Sequence, residues 1–126
     1  FRKYAPEGRV VDLGYVSEGQ ISALYQQAEA MLFTSQYEGF GIPVLEAMHA
    51  GCPVICAPVT SLPEVAGDAA LYVASSDPEA WADTFLNQMP SQREHLIQRG
   101  YQQAGKFTWR QTRHKWIEAV LEVIGK

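Results

Sequence analysis

Between Tyr37 and Met48 the chain reads YEGFGIPVLEAM, and two carboxylates, Glu38 and Glu46, stand on either side of a turn that holds Gly39 and Gly41. The turn leads straight into a helical pattern, whose first amides lack intrahelical partners and carry the positive end of the helix dipole. Glycines there let a ligand approach the main chain closely. Pro43, expected at the first helical position, removes only an amide that would be unpaired anyway. Such a turn is an anion cradle suited to a phosphate or diphosphate. Carboxylates repel phosphate but accept hydrogen bonds from sugar hydroxyls. A ligand with a diphosphate in the middle and a sugar at each end satisfies both features, with one glutamate on the ribose and the other on the second sugar. That ligand is a nucleotide sugar. The plainer reading is that Glu46 sits in a helix's first turn, stabilising the dipole by roughly 0.3–1 kcal/mol, and that EGFG is an ordinary turn. On spacing alone the two readings stand level.

The surrounding elements must place this turn. RVVDLGYV (Arg9 to Val16) is rich in valine and predicts a strand. SEGQ (Ser17 to Gln20) fits a capping box and opens a helix over about 18–29. AMLFTS (Ala30 to Ser35) predicts a second strand, VLEAMHAG a helix ending at Gly51, PVICAP a third strand, SLPEVAG a short helical turn, and AALYVA (Ala69 to Ala74) a fourth strand. Beyond it, Asp77 caps one helix, Ser91 with Glu94 starts another, and Thr108 starts a last one with Trp109, Trp116, Ile117, Val120, Leu121 and Ile124 along one stripe. Strands alternating with helices imply parallel pairing, a doubly wound, Rossmann-like α/β sheet of about four strands with a helical C-terminal tail. Ligands in such sheets bind beyond the carboxyl ends of the strands, where Tyr15, Val16 and TSQYEGFG fall.

Charge is unevenly spread. From Val10 to Gln92 there are ten acidic residues and no lysine or arginine, whereas from Arg93 onward seven basic residues face three acidic ones. An anion site in the first stretch has no cation of its own, and nucleic-acid binding is disfavoured there. Arg93, Arg99, Lys106, Arg110, Arg113 and Lys115 are read as the solvated face of two helices in preference to a contact with anionic lipid. With 126 residues, 47% hydrophobic and 19% charged, the chain is one domain or part of one, and it carries no signal peptide or membrane span, so it reads as cytoplasmic. Cys52 and Cys56, about 13 Å apart if the run is extended, are too distant for a disulfide and are expected to be reduced core residues. No cysteine or histidine cluster has metal-ligand spacing. His49, His95 and His114 are expected to support packing or lie in the tail, and Tyr37 either lines the sugar pocket or packs.

From Val10 to Trp81 the chain closely resembles the second half of the nucleotide-binding domain of retaining GT-B glycosyltransferases, in particular the large family 4, or "glycosyltransferase group 1", enzymes. The E-x7-E pattern from Glu38 to Glu46, EGFGIPVLEAM and G-x-PVI carry the resemblance. It implies that Glu46 binds the ribose hydroxyls and that Glu38 contacts the transferred sugar as the catalytic carboxylate. It further implies that amides around Gly39, Phe40, Gly41 and Ile42 meet the sugar and diphosphate. Tyr15, Val16 and Ser17 would lie near the base, and Leu45 beside the nucleoside. The implied chemistry is transfer of a sugar to an acceptor hydroxyl with retention, without a metal or other cofactor. The wording SLPEVAGDAALYV is similar to bacterial mannosyl- and related transferases of surface polysaccharide, which favours a GDP-sugar slightly over a UDP-sugar.

Family members also have an N-terminal domain for a sugar or lipid-linked acceptor and two further strands carrying the arginine and lysine that meet the diphosphate. Neither is found in residues 1–126, so the chain is expected to be part of a longer protein and inactive alone. Its sheet is expected to have a gap that invites a homodimer, a strand swap or an altered strand order. Two other classes stay open: a nucleotide-sugar epimerase or phosphorylase on the same architecture, and a binding module that holds a nucleotide without catalysis.

Overall fold

The computed structural model describes residues 9–74 and 76–125. In chain order the elements are α1 (Glu18–Gln27), β1 (Met31–Phe33), α2 (Ile42–His49), β2 (Val54–Cys56), α3 (Leu62–Ala66), β3 (Ala70–Tyr72), α4 (Pro78–Asp83), a π-helical turn (Thr84–Gln88), α5 (Met89–Ala104) and α6 (Trp109–Ile124). The three strands form one parallel sheet in the order β1-β2-β3, with Leu32 opposite Ile55 and Ile55 opposite Leu71.

Helices cover both faces of this sheet, because β2 alternates its side chains between two cores. Val54 and Cys56 join Val44, Met48, Leu62 and Val65 from α2 and α3. Ile55 points the other way, into a cluster with Trp81, Met89 and Leu96 from α4 and α5. Full burial of a valine, isoleucine or methionine side chain contributes about 1.5–3 kcal/mol. α2, into which the glycine turn leads, and β2 are therefore firmly held through these buried side chains. The architecture is the expected α/β one with a helical tail.

Two expectations are corrected. Arg9 to Val16 forms no strand, so the sheet has three strands among the described residues rather than four. Asp12 accepts a hydrogen bond from the Gly14 amide at 2.9 Å, and Gly14 has φ +57°, so the segment turns where a strand would extend. With no neighbouring strand to bond it, Val11 stays 73% exposed. Second, Ser91 and Glu94 do not begin a helix. The chain stays helical from Pro78 to Ala104, and the Met89 amide reaches back to the Thr84 carbonyl. Pro90 explains that wider turn: its ring would clash with the carbonyl four residues earlier in a regular α-helix, and it has no N–H to donate. The apolar stripe of α6 does not pack on the sheet: no residue of α6 is buried, and Trp109 and Trp116 are 89% and 69% exposed.

Other local signals act as expected. Ser17 and Gln20 form the capping box of α1, with the Ser17 amide donating to Gln20 Oε1 at 2.9 Å. α2 ends in a Schellman motif, in which the Cys52 amide bonds to the Ala47 carbonyl and the Gly51 amide to Met48, Gly51 having φ +77°. Both cysteines are free and buried, and burial raises the Cys56 thiol to about 11.

Candidate functional site

The segment from Thr34 to Gly41 leaves the carboxyl end of β1 and crosses to α2. Its backbone is fastened from the side by Thr60 and Ser61, which precede α3. The Glu38 amide donates to Thr60 Oγ1 at 3.1 Å, and the same hydroxyl donates to the Glu38 carbonyl at 2.8 Å. Ser61 Oγ lies within donating distance of the carbonyls of Glu38 (3.2 Å) and Phe40 (3.0 Å). Within the loop, Ser35 Oγ donates to the Tyr37 carbonyl at 3.1 Å. The Phe40 ring meets Phe107 edge to face, with centroids 5.8 Å apart. Thr60, Ser61 and Phe107 were not singled out from the sequence; hydroxyls some twenty residues away carry no local signal of such contacts.

Gly41 is the N-cap of α2, in the left-handed region at φ 96°, ψ 42°. Pro43 is the second helical residue, not the first. The Val44 amide is already used, bonding to the Gly41 carbonyl at 3.0 Å. The donors left for an anion are therefore the Ile42 amide and those of the loop itself, a narrower cradle than a full first turn. The side chains of Tyr37, Phe40 and Ile42 are exposed, and Glu38 is half-buried.

Glu46 is not in the first turn of α2, which contains no acidic residue. It stands one turn further on and lines a cleft of about 420 Å³ between α1 and α2, together with Glu18, Ile21, Tyr25 and His49. Burial raises the Tyr25 hydroxyl, and the Glu46 charge adds to that rise. His49 donates from Nδ1 to the Leu45 carbonyl at 3.1 Å, a local helix contact. Leu45 is 8% exposed and belongs to the core, leaving only an edge free. Tyr15 is 96% exposed, and Val16 and Ser17 lead into α1; none of the three lines the Glu46 cleft, whose wall begins at Glu18. The structure thus gives the two glutamates different neighbours. Glu38 belongs with Thr60 and Ser61, Glu46 with α1.

A smaller hollow of about 170 Å³ opens at the carboxyl ends of β2 and β3, where Gln36 meets Ala57, Pro58, Val59 and Val73. It adjoins the loop at the place where open α/β sheets take ligands. A further groove of about 840 Å³ runs along α6, lined by Arg110, Arg113, His114 and Lys115. Every wall of it comes from α6 and its cap, so nothing encloses a small molecule there. Arg93 and Arg99 are engaged with Glu29 and Asp68, each at 3.3 Å. Among the described residues no three His, Cys, Asp or Glu side chains converge on a metal position, and no helix is long and apolar enough to cross a membrane.

Residues 2–103 match the family described as "Glycosyl transferases group 1". The chain is 43% identical over 115 residues to O-antigen chain mannosyltransferase B of Escherichia coli, an alignment covering 90% of this chain and 30% of that protein. It is 38% identical over 79 residues to O-antigen chain mannosyltransferase RfbU of Salmonella typhimurium, covering 63% of this chain and 22% of the relative. Among solved structures it is similar to the pneumococcal O-GlcNAc transferase GtfA in complex with UDP and GlcNAc, with a TM-score of 0.67 and 27% identity over 84% of this chain and 23% of that one. The chain spans under a third of the length of each of these proteins.

Proposed function

Because the chain belongs to the glycosyl transferases group 1 family, we propose that it forms the donor-site part of a retaining GT-B glycosyltransferase that moves a hexose from a nucleoside-diphosphate sugar to an acceptor hydroxyl. The observation that carries this reading is the glycine loop, held at the carboxyl end of β1 by Thr60 and Ser61, with Glu38 inside the fastened stretch. The amides of Gly39, Phe40, Gly41 and Ile42 face the diphosphate and stabilise the charge that grows on it as the glycosidic bond breaks. Glu46, at the α1–α2 cleft, accepts hydrogen bonds from the ribose hydroxyls, and Tyr15 to Ser17 lie towards the base. Glu38 meets the transferred sugar. Cations for the diphosphate and the pocket for a sugar or lipid-linked acceptor come from other parts of a longer protein, a reading supported by how much longer the relatives are.

The two O-antigen mannosyltransferases support mannose as the sugar and surface polysaccharide as the product. A neighbour that holds UDP and GlcNAc supports the wider class of nucleotide sugars rather than one base. Calorimetric titration of the full-length protein with GDP, UDP, GDP-mannose and UDP-GlcNAc, followed by a donor-hydrolysis assay, tests the proposal. Binding of one nucleoside diphosphate with release of free sugar from its donor is the expected result. Absence of binding to all four ends the donor-site reading, and binding without hydrolysis or transfer leaves a nucleotide-holding module instead.

A further inference from the structure

We infer that Thr60 is a positioning residue for the reaction, whose hydroxyl sets the place of Glu38; this rests on the donor-site reading above. Thr60 has φ +47°, the only non-glycine residue in the left-handed region among those described. It occupies the second position of a turn closed by the Leu62 amide on the Val59 carbonyl at 3.0 Å. Glycine suits such a position and a β-branched residue is disfavoured there, so the strain persists only because the surroundings demand it.

The hydroxyl supplies what glycine lacks. It accepts from the Glu38 amide and donates to the Glu38 carbonyl, so both backbone polar groups of one residue end on one oxygen. Fixing the peptide planes on both sides of Glu38 fixes the direction of its Cα–Cβ bond, and with it the region the carboxylate can reach. Ser61 points to the same arrangement independently. It is the N-cap of α3, yet its side chain makes no capping bond. Its hydroxyl turns instead to the carbonyls of Glu38 and Phe40. Two adjacent hydroxyls, one on a strained backbone and one diverted from its own helix, converge on the residue proposed to meet the sugar.

Steady-state transfer kinetics of the full-length protein, with nucleoside-diphosphate affinity and melting measured alongside, test this for Thr60→Val, Thr60→Gly and Thr60→Ser. Val and Gly are expected to lower kcat about 10–100-fold, the effect of misplacing a reacting group, while the Kd for GDP or UDP stays within about threefold. Ser restores kcat to within about threefold of the wild type. Gly separates positioning from folding, because it relieves the backbone strain but removes the hydroxyl. A Thr60→Gly protein that transfers at the wild-type rate overturns the inference, as does a Thr60→Val protein whose loss of kcat merely follows its loss of folded fraction. A wild-type protein that binds no nucleoside diphosphate overturns the donor-site reading itself.

Discussion

Gly41 lies directly against Leu62: a Cβ on Gly41 would stand 2.6 Å from Leu62 Cδ2. Leu62 opens α3 and is fully buried, so its methyl group has little freedom to withdraw. The start of α2 and the start of α3 are thereby pressed together, and the glycine loop is held between them. Gly39, two residues away, has nothing within 4 Å of its Cβ position.

Gly41→Ala is expected to destabilise the protein by at least about 1–2 kcal/mol through the positive φ alone, with the contact on Leu62 adding to it. Gly39→Ala leaves the melting temperature unchanged. Gly39→Val, whose Cβ meets nothing within 4 Å, is expected to weaken nucleotide-sugar binding because its bulk blocks approach to the main chain. Melting curves and donor titrations on the full-length protein separate the two glycines; equal destabilisation by Gly39→Ala would contradict the account.

The two glutamates are expected to separate by kinetics. Glu38→Ala abolishes sugar transfer while nucleotide affinity is retained. Glu46→Ala weakens nucleotide binding by roughly 1.5–3 kcal/mol, the range for hydrogen bonds to a charged group. Titration with GDP or UDP beside a transfer assay reads both, and normal transfer by both variants would refute the roles assigned here.

Stability is expected to fall in alkali. Burial raises the Cys56 thiol from 9.0 to about 11 and the Tyr72 hydroxyl from 10.0 to about 12. Tyr72 also donates to the Gly67 carbonyl at 2.6 Å, which requires its proton. Both groups hold protons more tightly folded than unfolded, so as pH rises from about 9 to 12 the unfolded chain binds fewer protons and the native state loses stability. Urea midpoints at pH 8, 10 and 11 should decline, and the decline should be shallower in Tyr72→Phe. A flat profile across that window would count against these buried environments.

In the chain described here α6 is expected to open more readily than the rest. It buries no residue, whereas α2 and α5 pack closely enough for Gly100 to lie on Met48. A helix of this length that buries none of its side chains is marginal, even with the Thr108–Gln111 capping box at its start. Amide hydrogen exchange over Trp109–Ile124 should outpace that over Ile42–His49 by orders of magnitude. Equal protection would show that α6 is held by contacts this structure lacks.

Much of the fold was legible because its signals are local. Ser17, Gly51, Asp77 and Thr108 mark helix ends through caps that depend on neighbours within a few residues. The valine-rich run at Arg9 to Val16 misled because a strand exists only when another pairs with it, and Asp12 and Gly14 offered a turn instead. Ser91 with Glu94 read as a helix start, yet the burial of Met89 and Leu96 on either side keeps the helix running through a widened turn.

Residue type and spacing made Glu38, the two glycines and Glu46 candidates, since a glycine turn leading into a helix is a short-range pattern. Which surface each acid faces was not legible there. The sequence by itself determined the helix caps, the apolar strands and the glycine turn, all set by interactions between residues close along the chain. Only the tertiary structure decided that Thr60 and Ser61 grip Glu38, that Leu62 forbids a side chain at Gly41, and that Glu46 faces α1. Those contacts form only when parallel strands bring distant segments side by side.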